Sequence, residues 1–150
     1  MVVFKKHFTL EEARRLLPWV RQLIGRIQHC MAALERKGFK LLGATPVSLE
    51  LHEIGFSKNG EGSHSLPQEY LELLASLQAL GAAGVHIKNA SAGLVDFPAF
   101  TPEGEEVFLC YLEGEPDIVY WHRLEDGFQG RRPVEGTFLQ DGSRGGAGSA

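Results

Sequence analysis

An α+β fold, with a helical hairpin packed on one face of a small antiparallel β-meander, is what the sequence predicts. Three observations predict it. A seven-residue apolar repeat occupies the first part of the chain, and a second helical stripe lies near its middle. Four short stretches of alternating residues, separated by turn formers, then fill residues 85–123. Helices that precede a run of strands joined by tight turns place the two kinds of structure in adjacent layers.

The first helix opens at a capping box, Thr9-x-x-Glu12, with Phe8 placed for a hydrophobic staple against Ala13. Ala13, Leu17, Val20, Ile24, Ile27, Met31 and Leu34 then recur at spacings of four and three, the pattern of close helix-on-helix packing. Leu16, Leu23 and Cys30 widen this stripe beyond a two-stranded seam. Pro18 is expected to kink or divide the helix, and Gly38 after Arg36 and Lys37 to end it.

Val47, Leu49 and Leu51 alternate with polar residues and read as a short strand. Residues 57–65 (SKNGEGSHS) have the composition of a flexible insert. Ser65 and Gln68 form a second capping box around Pro67, opening a helix through Tyr70, Leu73, Leu74, Leu77 and Leu80 that Gly81 and Gly84 close.

The meander follows as Val85–Lys88, Leu94–Phe100, Glu106–Leu112 and Ile118–Arg123. A four-residue turn, Thr101–Gly104, and a hairpin closing with Leu112 opposite Asp117 set its register. That register pairs Phe108 with Trp121, Cys110 with Val119 and Glu106 with Arg123, and it forms an aromatic row of Phe97, Phe108 and Trp121 against the helices. The other face then carries Asp96, Leu109, Tyr111, Tyr120 and His122. Residues 1–133 read as one domain, and 134–150 as a glycine-rich tail that buries too little to order.

Length and composition bound the function. A chain of 150 residues can bury a core without disulfides or a structural metal. Cys30 and Cys110 match no disulfide or metal-ligand spacing, which points to a reducing, cytoplasmic setting. Charged residues interrupt any leader-like start, and no stretch reaches the roughly 20 apolar residues of a membrane span. Charge is asymmetric. Residues 1–40 hold nine Lys and Arg against three Glu, net +6, and the other 110 hold six basic and sixteen acidic groups, net −10, giving −4. Such a split favours contact between the halves, within one chain or between copies.

No catalytic motif is recognisable. The face bearing Asp96, Tyr120 and His122 has the composition of a binding surface, and Glu115, Arg131 and Arg132 are further ligand candidates. On the expected register Asp96 and His122 stand too far apart for a hydrogen bond, although Asp96, His122 and Glu115 are metal candidates if the 113–117 turn brings them together. Cys110 reads as a small core residue. Gly127–Arg132 (GFQGRR) offers two guanidinium groups to an anion but lacks a Walker lysine and a following helix, so it is no P-loop. Alternatively its arginines pair with Glu125 or Asp126, and Asp96 bonds a nearby backbone amide.

In order along the chain, FTLEEARRLLP (8–18), GLVDFPA (93–99), VFLCY (107–111), GEP (114–116), YWH (120–122) and GFQGRRP (127–133) resemble an uncharacterised prokaryotic family, domain of unknown function 2203. The resemblance spans roughly residues 4–133. It implies no activity, cofactor or catalytic residue. It implies a long charged helical hairpin between the motif regions, from which Leu41–Ser65 departs with its glycine, proline and alternating apolar residues.

Three functions follow as expectations. The first is a non-catalytic interaction or assembly protein forming homo-oligomers, which the helical stripe and opposed charges favour. The second is a metal- or small-molecule-binding protein, or an enzyme, using the Asp96/Tyr120/His122 face. The third is anion or nucleic-acid binding by Arg14, Arg15, Arg21, Arg26 and Arg36, which the acidic remainder of the chain disfavours.

Overall fold

The computed structural model describes residues 2–42, 55–58, 67–136 and 138. Thr9 caps α1 (Leu10–Arg36) through both bonds of the expected box. Every residue of the seven-residue repeat is buried. Pro18 does not divide the helix, which runs unbroken through it. Pro18 is exposed, so the carbonyl that loses its partner lies on the watered side, where solvent can satisfy it. Gly38, at φ +89°, ends the helix.

The expected strand at Val47–Leu51, Ser65 of the second box and residues 59–65 of the insert lie outside the described residues. Ser57 and Lys58 are instead strand, because β1 (Phe39–Leu42) and β2 (Gly55–Lys58) form an antiparallel ribbon. The second helix, α2 (Gln68–Ala82), has Pro67 at its N-cap with no side-chain bond, so the cap is not a box. It continues through Gly81, and Gly84 at φ +89° closes it. Lys37 Nζ meets Glu69 Oε1 at 2.7 Å. At the other end Gly84 lies against Lys6, so the two helices run antiparallel. No described helix is long and apolar enough to cross a membrane.

The second layer is a five-stranded antiparallel meander in the order β3-β4-β5-β6-β7. Its strands are β3 (His86–Asn89), β4 (Leu94–Phe100), β5 (Glu106–Leu112), β6 (Tyr120–Arg123) and β7 (Arg132–Pro133). Val95, Phe97, Ala99, Val107, Leu109 and Tyr111 join the α1 and α2 stripes in one core.

The register differs from expectation by one residue at both hairpins. Phe97 pairs with Leu109 rather than Phe108, and Phe108 pairs with His122 rather than Trp121. Gly104, at φ +92°, lengthens the first turn, so that Phe100 pairs with Glu106. The second turn is longer because Ile118 leaves the strand for the core, where it is fully buried. Its carbonyl accepts from Arg14 Nε at 3.1 Å and Nη2 at 2.9 Å. A one-residue slip exchanges the faces of a strand. Leu109 and Tyr111 therefore face the helices, and Phe108 and Cys110 join Asp96, Tyr120 and His122 on the far face.

The expected Glu106–Arg123 pair is absent among the described contacts. Arg123 Nε pairs with Glu105 at 3.2 Å, while Glu106 accepts from His7 Nε2 at 2.7 Å. Order also extends past Pro133. Val134 N donates to Val119 O at 2.9 Å, and Phe138 is buried against Trp121. Residue 137 and residues 139–150 of the expected tail lie outside the described residues.

Candidate metal centre

Two strands supply the ends of the site and the strand between them supplies its middle. Asp96 on β4 is the register partner of Cys110 on β5, and Phe108 on β5 is the partner of His122 on β6. His122 therefore sits one row away from the Asp96–Cys110 row. The imidazole nonetheless reaches the carboxylate, with His122 Nε2 at 3.1 Å from Asp96 Oδ2. This corrects the expectation that the pair is too distant. The small Cys110 between them leaves room for the longer side chains to meet over it.

Asp96, Cys110 and His122 are 2 %, 0 % and 4 % exposed. One ligand atom from each lies within 4.8 Å of the others. A tetrahedral zinc-class ion, with bonds of about 2.0 to 2.3 Å, sets its ligand atoms roughly 3.3 to 3.6 Å apart. The nitrogen–oxygen edge is already close to that, and any longer edge closes by about 1 Å.

Hydrogen bonding fixes the tautomer. His122 Nδ1 lies 2.8 Å from the carbonyl oxygen of Arg123, which can only accept, so Nδ1 carries a hydrogen and donates it. In a neutral ring Nε2 is then a lone pair aimed at a carboxylate oxygen. Two acceptors in contact in a buried place require a positive charge between them, either a proton or a metal ion. Asp96 Oδ1, also buried, has no hydrogen-bond partner among the described residues.

Proton affinities follow from the same contacts. Burial favours the neutral imidazole, but the Asp96 hydrogen bond and charge outweigh it and raise His122 above its ordinary 6.5. Burial first, and then the Asp96 carboxylate, push the Cys110 thiol well above its ordinary 9.0. A free thiolate is therefore disfavoured here, and a cation is what would make one stable.

A family model described as "Uncharacterized conserved protein (DUF2203)" matches residues 6–134. The chain belongs to DUF2203. The match takes in both helices, all five strands of the meander and each member of the cluster. No curated protein and no solved structure matches the chain.

The remaining candidates of this DUF2203 chain fall into two other groups. Glu115 does not join Asp96 and His122. It accepts from Leu112 N at 2.7 Å and pairs with Arg131 Nη2 at 2.6 Å. Arg131 thus pairs with neither Glu125 nor Asp126. Its guanidinium lies over the rings of Tyr120 at 4.2 Å and Phe128 at 4.5 Å, and it donates to Cys110 O at 3.4 Å. Tyr120 shares the Asp96–Cys110 row, but its ring is engaged by that arginine. Arg132 is on the opposite face, over Trp121 at 5.3 Å, beside a groove of about 810 Å³ that none of the cluster residues lines.

Two arginines of α1 tie the layers together. Arg14 holds Ile118 and lies 3.6 Å from Asp117. Arg21 donates to Tyr111 Oη at 3.0 Å and to the carbonyls of Glu115 and Pro116. Cys110 is the member of the cluster that sequence reasoning passed over. The signal for it was the alternation itself, since Asp96, Cys110 and His122 share a face once each turn is one residue longer.

Proposed function

We propose that this chain binds a divalent transition-metal ion of the zinc class through Asp96, Cys110 and His122. The observation that carries the reading is the hydrogen bond from His122 Nδ1 to Arg123 O, which directs the Nε2 lone pair at the Asp96 carboxylate. A metal-ligating histidine typically donates its other ring N–H to such a backbone carbonyl. A carboxylate, a thiolate and an imidazole are zinc-class ligands, unlike the all-oxygen sets that magnesium and calcium take. Three protein ligands leave a fourth position for water or a small anion, the arrangement of zinc sites that act as Lewis acids.

The assembly reading loses the two features that recommended it. The apolar stripe of α1 is buried against α2 and the sheet, and the opposed charges meet within one chain at Arg14–Asp117 and Lys37–Glu69. Arg14 and Arg21, named for anion binding, are engaged by the Ile118 carbonyl and the Tyr111 hydroxyl. Native mass spectrometry of the purified chain tests the proposal against assembly, because one spectrum reports both subunit count and retained metal. Retained metal that disappears with His122→Ala supports it; a metal-free multimer after zinc addition favours assembly.

A further inference from the structure

A buried three-ligand site needs an entry path, and the segment packed on the residues beside it is held in an unusual way. Residues 2–7 precede α1 and run against the far face of the meander. Phe4 meets His86, the register partner of Asp96, edge-on at 4.7 Å and Phe108 at a tilt at 5.1 Å. Phe108 in turn lies 5.5 Å from the His122 ring. Phe4 thus packs on the two residues, His86 and Phe108, that flank the site as register partners of Asp96 and His122.

Among the described residues, no backbone-to-backbone hydrogen bond joins residues 2–7 to the sheet; the first is Phe8 N to Pro98 O. One carboxylate supplies the hydrogen bonds instead. Glu106 accepts from Val3 N at 2.7 Å, Phe4 N at 2.9 Å and His7 Nε2 at 2.7 Å. Val2 and Val3, which precede Phe4, are 58 % and 64 % exposed. Apart from Glu106 the segment is held by side-chain contacts alone, Phe4 on His86 and Phe108 and the buried His7 stacked on Phe100 at 4.2 Å, and such a segment opens at lower cost than a strand paired in the sheet.

We infer that residues 2–7 form a gate over the Asp96–Cys110–His122 site, latched shut by Glu106. The gate controls exchange of the ion and of its fourth ligand, and in that respect it rests on the metal reading. Opening lifts Phe4 from Phe108 and His86 while the helices and strands stay folded.

The test is alkylation of Cys110 by iodoacetamide, followed by mass spectrometry, in a chain carrying Cys30→Ala so that one thiol reports. Phe4→Ala and Glu106→Gln are each expected to speed modification about tenfold or more. Ile27→Val, which trims the α1 core away from the gate, controls for general loosening and should change the rate about twofold at most. Rates for both gate variants no higher than that control would overturn the inference. The same chains loaded with zinc should release it to a chelator faster by a similar factor. If the parent takes up no zinc but the gate variants speed alkylation, the metal reading falls and the gate stands. If zinc binds but neither rate responds, the gate falls and the metal reading stands.

Discussion

His122 and Asp96 meet at 3.1 Å although they belong to strands that are not neighbours. The strand between them contributes Cys110, and the three buried side chains close a polar cluster. Asp96→Asn separates its structural and ligand roles. The amide can donate to the lone pair of His122 Nε2, so the fold should lose only about 1 kcal/mol. Zinc affinity should fall about 10- to 100-fold, because an amide oxygen is a poor zinc ligand. Isothermal titration and urea denaturation of the same variant give both numbers. Unchanged affinity would remove Asp96 from the site.

Glu106 gives the fold a specific acid sensitivity. Burial opposes its charge, but the bonds from His7, Val3 and Phe4 outweigh this and hold its pKa below the ordinary 4.5. The unfolded chain therefore binds this proton more readily than the folded one. The stabilisation is present above about pH 4.5 and is lost as pH falls through the lowered value. Glu106→Gln should weaken the fold by about 1 to 3 kcal/mol near neutrality and flatten the acid limb. Urea midpoints measured between about pH 6 and pH 3 check this. Parallel curves for the two chains would show that the latch contributes nothing.

Two glycines should respond oppositely to alanine. Gly93 has φ +75°, and a Cβ there would stand 2.6 Å from Glu113 Cβ, at the turn where Glu113 N donates to Gly93 O. Gly93→Ala should cost about 1 to 2 kcal/mol from the backbone alone. Gly25 lies exposed inside α1 with nothing within 4 Å of its Cβ position. Gly25→Ala should stabilise the chain by about 0.5 to 1 kcal/mol. Thermal or urea unfolding reads both, and shifts of the same sign would contradict the backbone account.

Local information made α1 legible, since its capping box and repeat sit within a few residues of the contacts they make. The bounds of β4 and β5 were equally legible from alternation. Register was not. It depends on a positive φ at Gly104 and on Ile118 choosing the core over the strand, and neither is visible in the hydrophobic pattern. The two slips offset each other, so Asp96 and His122 stand one row out of step in either register; what the slips change is the residue opposite Asp96, Cys110 in place of Leu109, whose small side chain lets the pair meet. Glu115 and Arg131 were recognisable as candidates by type, but their mutual pairing depends on how the 113–119 turn folds back.

The measurement that tests the central claim most directly is a cobalt(II) titration of the reduced chain, read by absorption. Cobalt(II) takes zinc-class sites and reports its ligands, with a thiolate-to-cobalt band in the near ultraviolet and intense visible bands when four-coordinate. The account predicts one equivalent bound, a thiolate band that Cys110→Ser abolishes and Cys30→Ser does not, and displacement of both sets of bands by zinc. A featureless titration, or a band that survives Cys110→Ser, would contradict it and leave His122 and Asp96 as a buried pair joined by a proton.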